Sequence, residues 1–150
     1  MNYYLMKSEP TDYSIDDLKS DTTAAWTGVR NYQARNFMME MKKGDSVLFY
    51  HSNTKEIGIV GIATVSKESH PDHTAWDKKD SHYDSKTDKD NPRWFMVAIR
   101  FKKKFKAIIT LNELREQKAL KDMLILRKGN RLSVTPVTKE EFDKIISLTK

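Results

Sequence analysis

Between positions 26 and 36 the chain reads Trp26-Thr27-Gly28-Val29-Arg30-Asn31-Tyr32-Gln33-Ala34-Arg35-Asn36. An indole, a glycine, two guanidinium groups and several amide or phenol side chains are concentrated there. Together they offer a flat apolar face, forked donors, and amides that donate and accept. A nucleobase with its phosphate needs those groups in one place. Gly28 permits close backbone approach, Arg30 and Arg35 can fork a phosphate, and Asn31 and Gln33 can read a base edge. A plainer reading stands beside this one. Trp26 would be a staple tucked under a polar loop, and Arg30 and Arg35 solvated charges on a helix face.

A second group lies at Phe49-Tyr50-His51-Ser52-Asn53, a strand end. Alternation sends Phe49, His51 and Asn53 to one side and Tyr50 and Ser52 to the other. Polar groups at such an end can line a pocket, or they can make ordinary cross-strand hydrogen bonds. His70-Pro71-Asp72-His73 is weak as a metal site, because Pro71 prevents a helical ligand pair; no metal and no cofactor is expected. His82 reads as a surface loop residue. Lys102-Lys103-Lys104 reads as a solvated strand face protecting an edge, with a phosphate-tracking groove as the alternative. The methionines at 38, 39 and 41 read as core. No phosphate-binding glycine loop, nucleophile elbow or carboxylate pair on one helix face is present.

Several elements must position these groups. Residues 2–7 read as a first strand. Ser14-Ile15-Asp16-Asp17-Leu18 opens a short helix through a Ser-x-x-Asp cap. From Asn31, a good N-cap, Ala34, Phe37, Met38 and Met41 recur at helical spacing, and Gly44 stops the helix. Ser46–Ser52 and Ile57–Val65 read as strands, and the glycines at 58 and 61 imply a bend or a close backbone approach. Residues 66–92 read as a long irregular segment, functional or mobile. Strand returns at Trp94–Phe105, helices are capped at Thr110 and Thr138, and Arg131–Thr135 forms a strand that Pro136 ends. The sum is a mixed α+β domain with five or six strands in a strongly curved sheet or barrel.

The 150 residues suit one domain, 1–150, with a real core. The net charge of +6 is uneven: residues 1–75 carry 8 Lys/Arg against 10 Asp/Glu, and residues 76–150 carry 19 against 11. The basic half is a candidate footprint for a polyanion, or simply a soluble surface. The chain has no cysteine, which excludes disulfides and thiolate-bound zinc. No signal peptide and no membrane span is read, and the expected compartment is the cytoplasm.

Blocks spread along the chain resemble a known family. They are Met6-Lys7-Ser8-Glu9-Pro10, Tyr13-Ser14-Ile15-Asp16-Asp17-Leu18, the 26–36 run, Gly44-Asp45 and Phe49-Tyr50-His51-Ser52-Asn53. Pro71-Asp72 with Thr74, Pro92-Arg93-Trp94, and Arg131-Leu132-Ser133-Val134 with Pro136-Val137 follow in order. The set resembles the EVE domain, the thymocyte-nuclear-protein-like family. That resemblance implies a PUA-like, strongly curved β-barrel with flanking short helices, related to YTH and ASCH domains. It also implies a non-catalytic reader of a modified nucleobase, most of all a modified cytosine, in DNA ahead of RNA.

Carried over by position, the base pocket comprises Lys7, Ser8, Trp26, Gly28, Val29, Asn31, Gln33, Tyr50, His51, Ser52 and Asn53, with Trp26 as stacking wall. Arg30, Arg35, Arg131 and Ser133 would hold phosphate. Thr27 departs from the family pattern, which usually has an acidic residue there. The expected unit is a monomer that flips the base, and Trp26→Ala is expected to abolish binding and leave the fold intact. The alternative is an ASCH-like hydrolase or ribonuclease acting on RNA or a modified nucleoside, with Lys7 or His51 as acid or base. A nucleophile–base–orienter set for it is not visible. A protein-interaction module using the basic half has no motif in its favour.

Overall fold

The helix caps form where the sequence puts them. Ser14 accepts from the Asp17 backbone and Asp17 reciprocates, opening α1 (Ile15–Asp21). Asn31 accepts from the Ala34 N–H and opens α2 (Tyr32–Glu40). Thr110 caps α3 (Leu111–Arg115), and a full Thr138–Glu141 capping box opens α4 (Lys139–Leu148). The computed structural model describes residues 1–87 and 89–149. Asp88, within the segment read as irregular, and Lys150 lie outside the described residues. No described helix is long and apolar enough to cross a membrane.

The strands are β1 (Tyr3–Ser8), β2 (Thr23–Trp26), β3 (Ser46–His51), β4 (Gly58–Pro71), β5 (Phe95–Thr110) and β6 (Val134–Val137). They form one mixed sheet in the order β2-β5-β4-β3-β1-β6. β1 and β3 run parallel and the other pairs antiparallel. The sheet curves but does not close, so the architecture is a PUA-like α+β fold in open form.

The two-residue repeat of the strands divides the apolar residues between two layers. Tyr4, Met6, Val47 and Phe49 pack with α1 and α2 on one face. Leu5, Leu48, Tyr50 and Ile59 pack with α3, α4 and two 3₁₀ turns on the other. Strands buried on both faces read as continuous apolar runs, as Val47-Leu48-Phe49-Tyr50 does. Curvature comes from β4 and β5, whose register shifts four times between Ile59 and His70. A Cβ on Gly58 would sit 2.1 Å from the Ile109 carbonyl oxygen, and one on Gly61 2.4 Å from that of Lys103. Both glycines therefore serve the close backbone approach their positions suggested.

Several expectations need correction. Trp26 ends a strand at the sheet edge instead of lying in a loop. The segment read as irregular from residue 66 is strand through Pro71, and a 3₁₀ turn follows at His73–Trp76. β5 runs on past Phe105 into the cap of α3. β6 starts later than read and includes Pro136, which the sheet edge tolerates. Met38 and Met41 are fully buried, whereas Met39 faces solvent. The Lys102–Lys104 run lies where β5 extends beyond its β2 partner, which suits edge protection, and Lys104 pairs with Asp16 at 2.7 Å.

Candidate functional site

Parallel pairing sets Lys7 level with Tyr50 and Ser8 level with His51, so β1 and β3 end side by side. The Ser52 N–H donates to the Ser8 carbonyl at 3.0 Å, and the Lys7 N–H to the Ser133 carbonyl at 2.8 Å. Three chain segments are thereby tied at one end of the sheet. A cleft of about 1070 Å³ opens there. Lys7, Ser8 and the loop before α1 form one wall. Ala24 to Arg30 form another, and Ser52, Asn53, His82, Asn130, Arg131 and Ser133 complete it.

Trp26 is 9% exposed, and its ring meets Phe49 edge-on at a centroid distance of 5.6 Å. Trp26 belongs to the core, and the residue is also among those lining the cleft. Val29 is buried beside it. Lys7 is half-buried, and burial pushes its ammonium below the usual lysine value. The Ser8 hydroxyl donates to the Tyr13 carbonyl at 2.5 Å, which fixes the loop before α1. Asn53 adopts a left-handed φ of 51° and donates to Glu9 at 3.1 Å. Glu9 and Asp12 make that rim acidic, while Lys7 and Arg131 supply positive charge.

The wall from Gly28 to Arg30 depends on Asp72, which sequence reasoning did not single out as a site residue. Its carboxylate is fully buried. It accepts from the Gly28 N–H at 2.8 Å, Arg30 Nη1 at 3.0 Å, the Thr74 N–H at 2.9 Å and the Thr74 hydroxyl at 2.6 Å. Desolvation pushes this carboxyl up. The hydrogen bonds from Thr74, Gly28 and Arg30 outweigh it and hold it below the ordinary aspartate range. The available signal was Asp72-x-Thr74, a self-bonding turn pattern.

Arg30 donates also to the His82 carbonyl, at 2.7 Å from Nη2 and 3.0 Å from Nε. Its donors hold protein together, while its side chain stays 23% exposed and the residue lines the cleft. The His82 ring lies flat against the backbone at Gly28, where a Cβ would come within 2.4 Å of Nε2 and φ is +81°. His82 is thus a surface turn residue, as read, that also forms a cleft wall.

Five other expected site residues stand outside the cleft. Asn31 uses its side-chain oxygen as the α2 cap. Gln33 is exposed on α2. Arg35 donates to the Arg93 carbonyl at 2.9 Å, and its guanidinium lies over Tyr32, which stacks on Trp94. Tyr50 points into the opposite layer and is buried there. His51 lines a separate groove of about 390 Å³ with Asp16 and Lys104. Among the described residues no group of three or more His, Asp or Glu is placed to hold a metal ion.

His51 Nε2 accepts the Ile15 N–H at 3.1 Å, which requires the neutral ring. Burial pushes its pKa below the usual histidine value; Asp16 opposes that and Lys104 reinforces it. A histidine depressed in the fold stabilises it fully above the unfolded value of about 6.5, and the contribution is lost as pH falls below that. Melting temperature is therefore expected to drop between pH 7.5 and 5.5 in the wild type and to change less in His51→Gln. Equal drops in the two proteins would remove His51 as the cause.

A model of the EVE domain matches residues 2–148. Thymocyte nuclear protein 1 of Gallus gallus is 47% identical, covering 97% of this chain and 68% of the relative. A crystal structure of a Pseudomonas syringae protein superposes with a TM-score of 0.95 at 44% identity, covering 97% of this chain and 98% of that one. The crystal structure of human THYN1 protein in complex with 5-methylcytosine-containing DNA gives 0.93 at 44% identity, covering 99% and 97%. An ASCH mutant protein from Zymomonas mobilis, 14% identical and covering 100% of both chains, shares the fold at a TM-score of 0.57. On its sequence and its fold alike, this chain belongs to the EVE domain family.

Proposed function

We propose that this EVE domain is a non-catalytic reader of modified nucleobases, acting as one monomeric module on DNA ahead of RNA. The base is drawn from its stack into the cleft beside Trp26, with 5-methylcytosine as the leading ligand. The observation that carries this reading is the cleft itself. It is roomy, and Trp26, Lys7 and Asn53 are among the residues that line it. The complex of the THYN1 relative with 5-methylcytosine-containing DNA supports the choice of ligand.

Extrusion of a base costs a few kcal/mol, and stacking on an aromatic wall returns about 1–3 kcal/mol. For an ordinary base these nearly cancel. Burial of one added methyl group, worth about 1 kcal/mol, then decides occupancy. Fluorescence anisotropy with matched duplexes is expected to show roughly fivefold or greater preference for 5-methylcytosine over cytosine. Equal affinities, or turnover of either oligonucleotide, would refute the reading.

A further inference from the structure

The two arginines best placed in sequence to hold phosphate are occupied by protein. Arg30 binds Asp72 and the His82 carbonyl, and Arg35 binds the Arg93 carbonyl and lies over Tyr32. A reader that takes a base into the cleft still needs cations beside it, because phosphate contacts supply most of the non-specific affinity. The cleft lining mixes charges: Glu9 and Asp12 repel a polyanion, whereas Lys7 and Arg131 attract one. Arg131 ends the turn Arg127-Lys128-Gly129-Asn130-Arg131, which follows the last 3₁₀ turn and leads to β6.

That turn is held firmly. The Asn130 N–H donates to the Arg127 carbonyl at 3.1 Å, its side-chain amide donates to the Leu124 carbonyl at 2.6 Å, and its Oδ1 accepts the Leu132 N–H at 2.8 Å. Gly129 has a φ of +80° and open space around it. Arg127, Lys128 and Arg131 are exposed, and none takes part in the ion pairs found among the described residues. Asn130 and Arg131 line the cleft directly. The competing basic surface on β5 is less suited, since Lys104 is paired with Asp16, and Lys104 and Lys106 line the separate groove.

We propose that the Arg127–Arg131 turn is the backbone clamp of this domain. It receives the phosphodiester strand flanking the bound base. The inference rests on the base-reading proposal for the cleft and adds where the rest of the nucleic acid lies.

The test is a salt titration of affinity for methylated and unmodified duplexes. In the variant carrying Arg127→Gln and Lys128→Gln, the slope of log K against log salt is expected to shrink by about 1.8, roughly 0.9 per lost contact. Affinity near physiological salt should fall on the order of tenfold, and the preference for the methylated duplex should stay as it was. The charge-retaining pair Arg127→Lys and Lys128→Arg should keep the wild-type slope, which separates charge from any effect on folding. An unchanged slope in the glutamine variant overturns the clamp. So does loss of slope in a Lys102→Gln, Lys103→Gln control, which would move the strand to β5. If the wild type shows no methyl preference yet the turn variant loses slope, the base reading fails and the clamp stands. Absence of any duplex binding by the wild type overturns both.

Discussion

Asp72→Ala is expected to lower the melting midpoint by on the order of 10 °C and to disorder the cleft wall. Removing one partner of a buried ion pair costs about 3–5 kcal/mol, because the other partner is left uncompensated. Here the loss is wider than one pair, since the Gly28 N–H and both Thr74 donors also lose their acceptor. Arg30 keeps 23% side-chain exposure, so water restores part of its solvation and the lower end of that range applies. In a chain of this size each kcal/mol is worth about 3 °C. Asp72→Asn, which keeps the shape and loses the charge, should recover part of the midpoint. Thermal melting by circular dichroism decides the matter, and a midpoint for the alanine variant within about 2 °C of wild type would show that Asp72 is not the anchor.

Trp26→Ala is expected to lose stability and base binding together, which corrects the expectation that the fold would be left intact. The ring is 9% exposed and packed on Phe49, so its truncation costs about 3–5 kcal/mol. The resulting fall in midpoint is again on the order of 10 °C. Trp26→Phe separates the two roles. It retains an aromatic ring in the layer and should melt within a few degrees of wild type, yet it narrows the stacking face offered to a base. Oligonucleotide affinity should drop severalfold while the fold persists. Wild-type affinity in the phenylalanine variant would assign the stacking wall to another group.

Local features of the fold were legible because they depend on neighbours in the chain. Ser14, Asn31 and Thr138 each satisfy donors three residues on, so their caps could be read directly. Gly58 and Gly61 announced a bend or a close approach, although not which of the two or which strand approaches. β2 escaped because four residues carry too little alternation, and a single residue separates it from α1. The polar end of β4 escaped because Lys67 and Glu68 lie where the strand is exposed, and polarity there reads as loop.

The candidate cleft was legible in part for a different reason. Lys7, Ser8, Trp26, Gly28, Val29, Ser52, Asn53, Arg131 and Ser133 do converge on one cleft. Arg30 shows what sequence withholds. Its charge is visible, but its partner is 42 residues away, and only the fold discloses that the guanidinium is already spoken for. Tyr50 and His51 share a motif with Ser52 and Asn53, yet one sits in the opposite layer and the other in a neighbouring groove.

The carboxylate knot joining Gly28, Arg30 and Thr74 has a consequence for how a ligand enters. Its bonds form when the protein folds, so the ordering of this wall is complete before any nucleic acid arrives. On the base-reading proposal, the deformation then falls on the double helix. The same proposal predicts that mispaired or weakly stacked nucleotides, which cost least to extrude, are captured most readily.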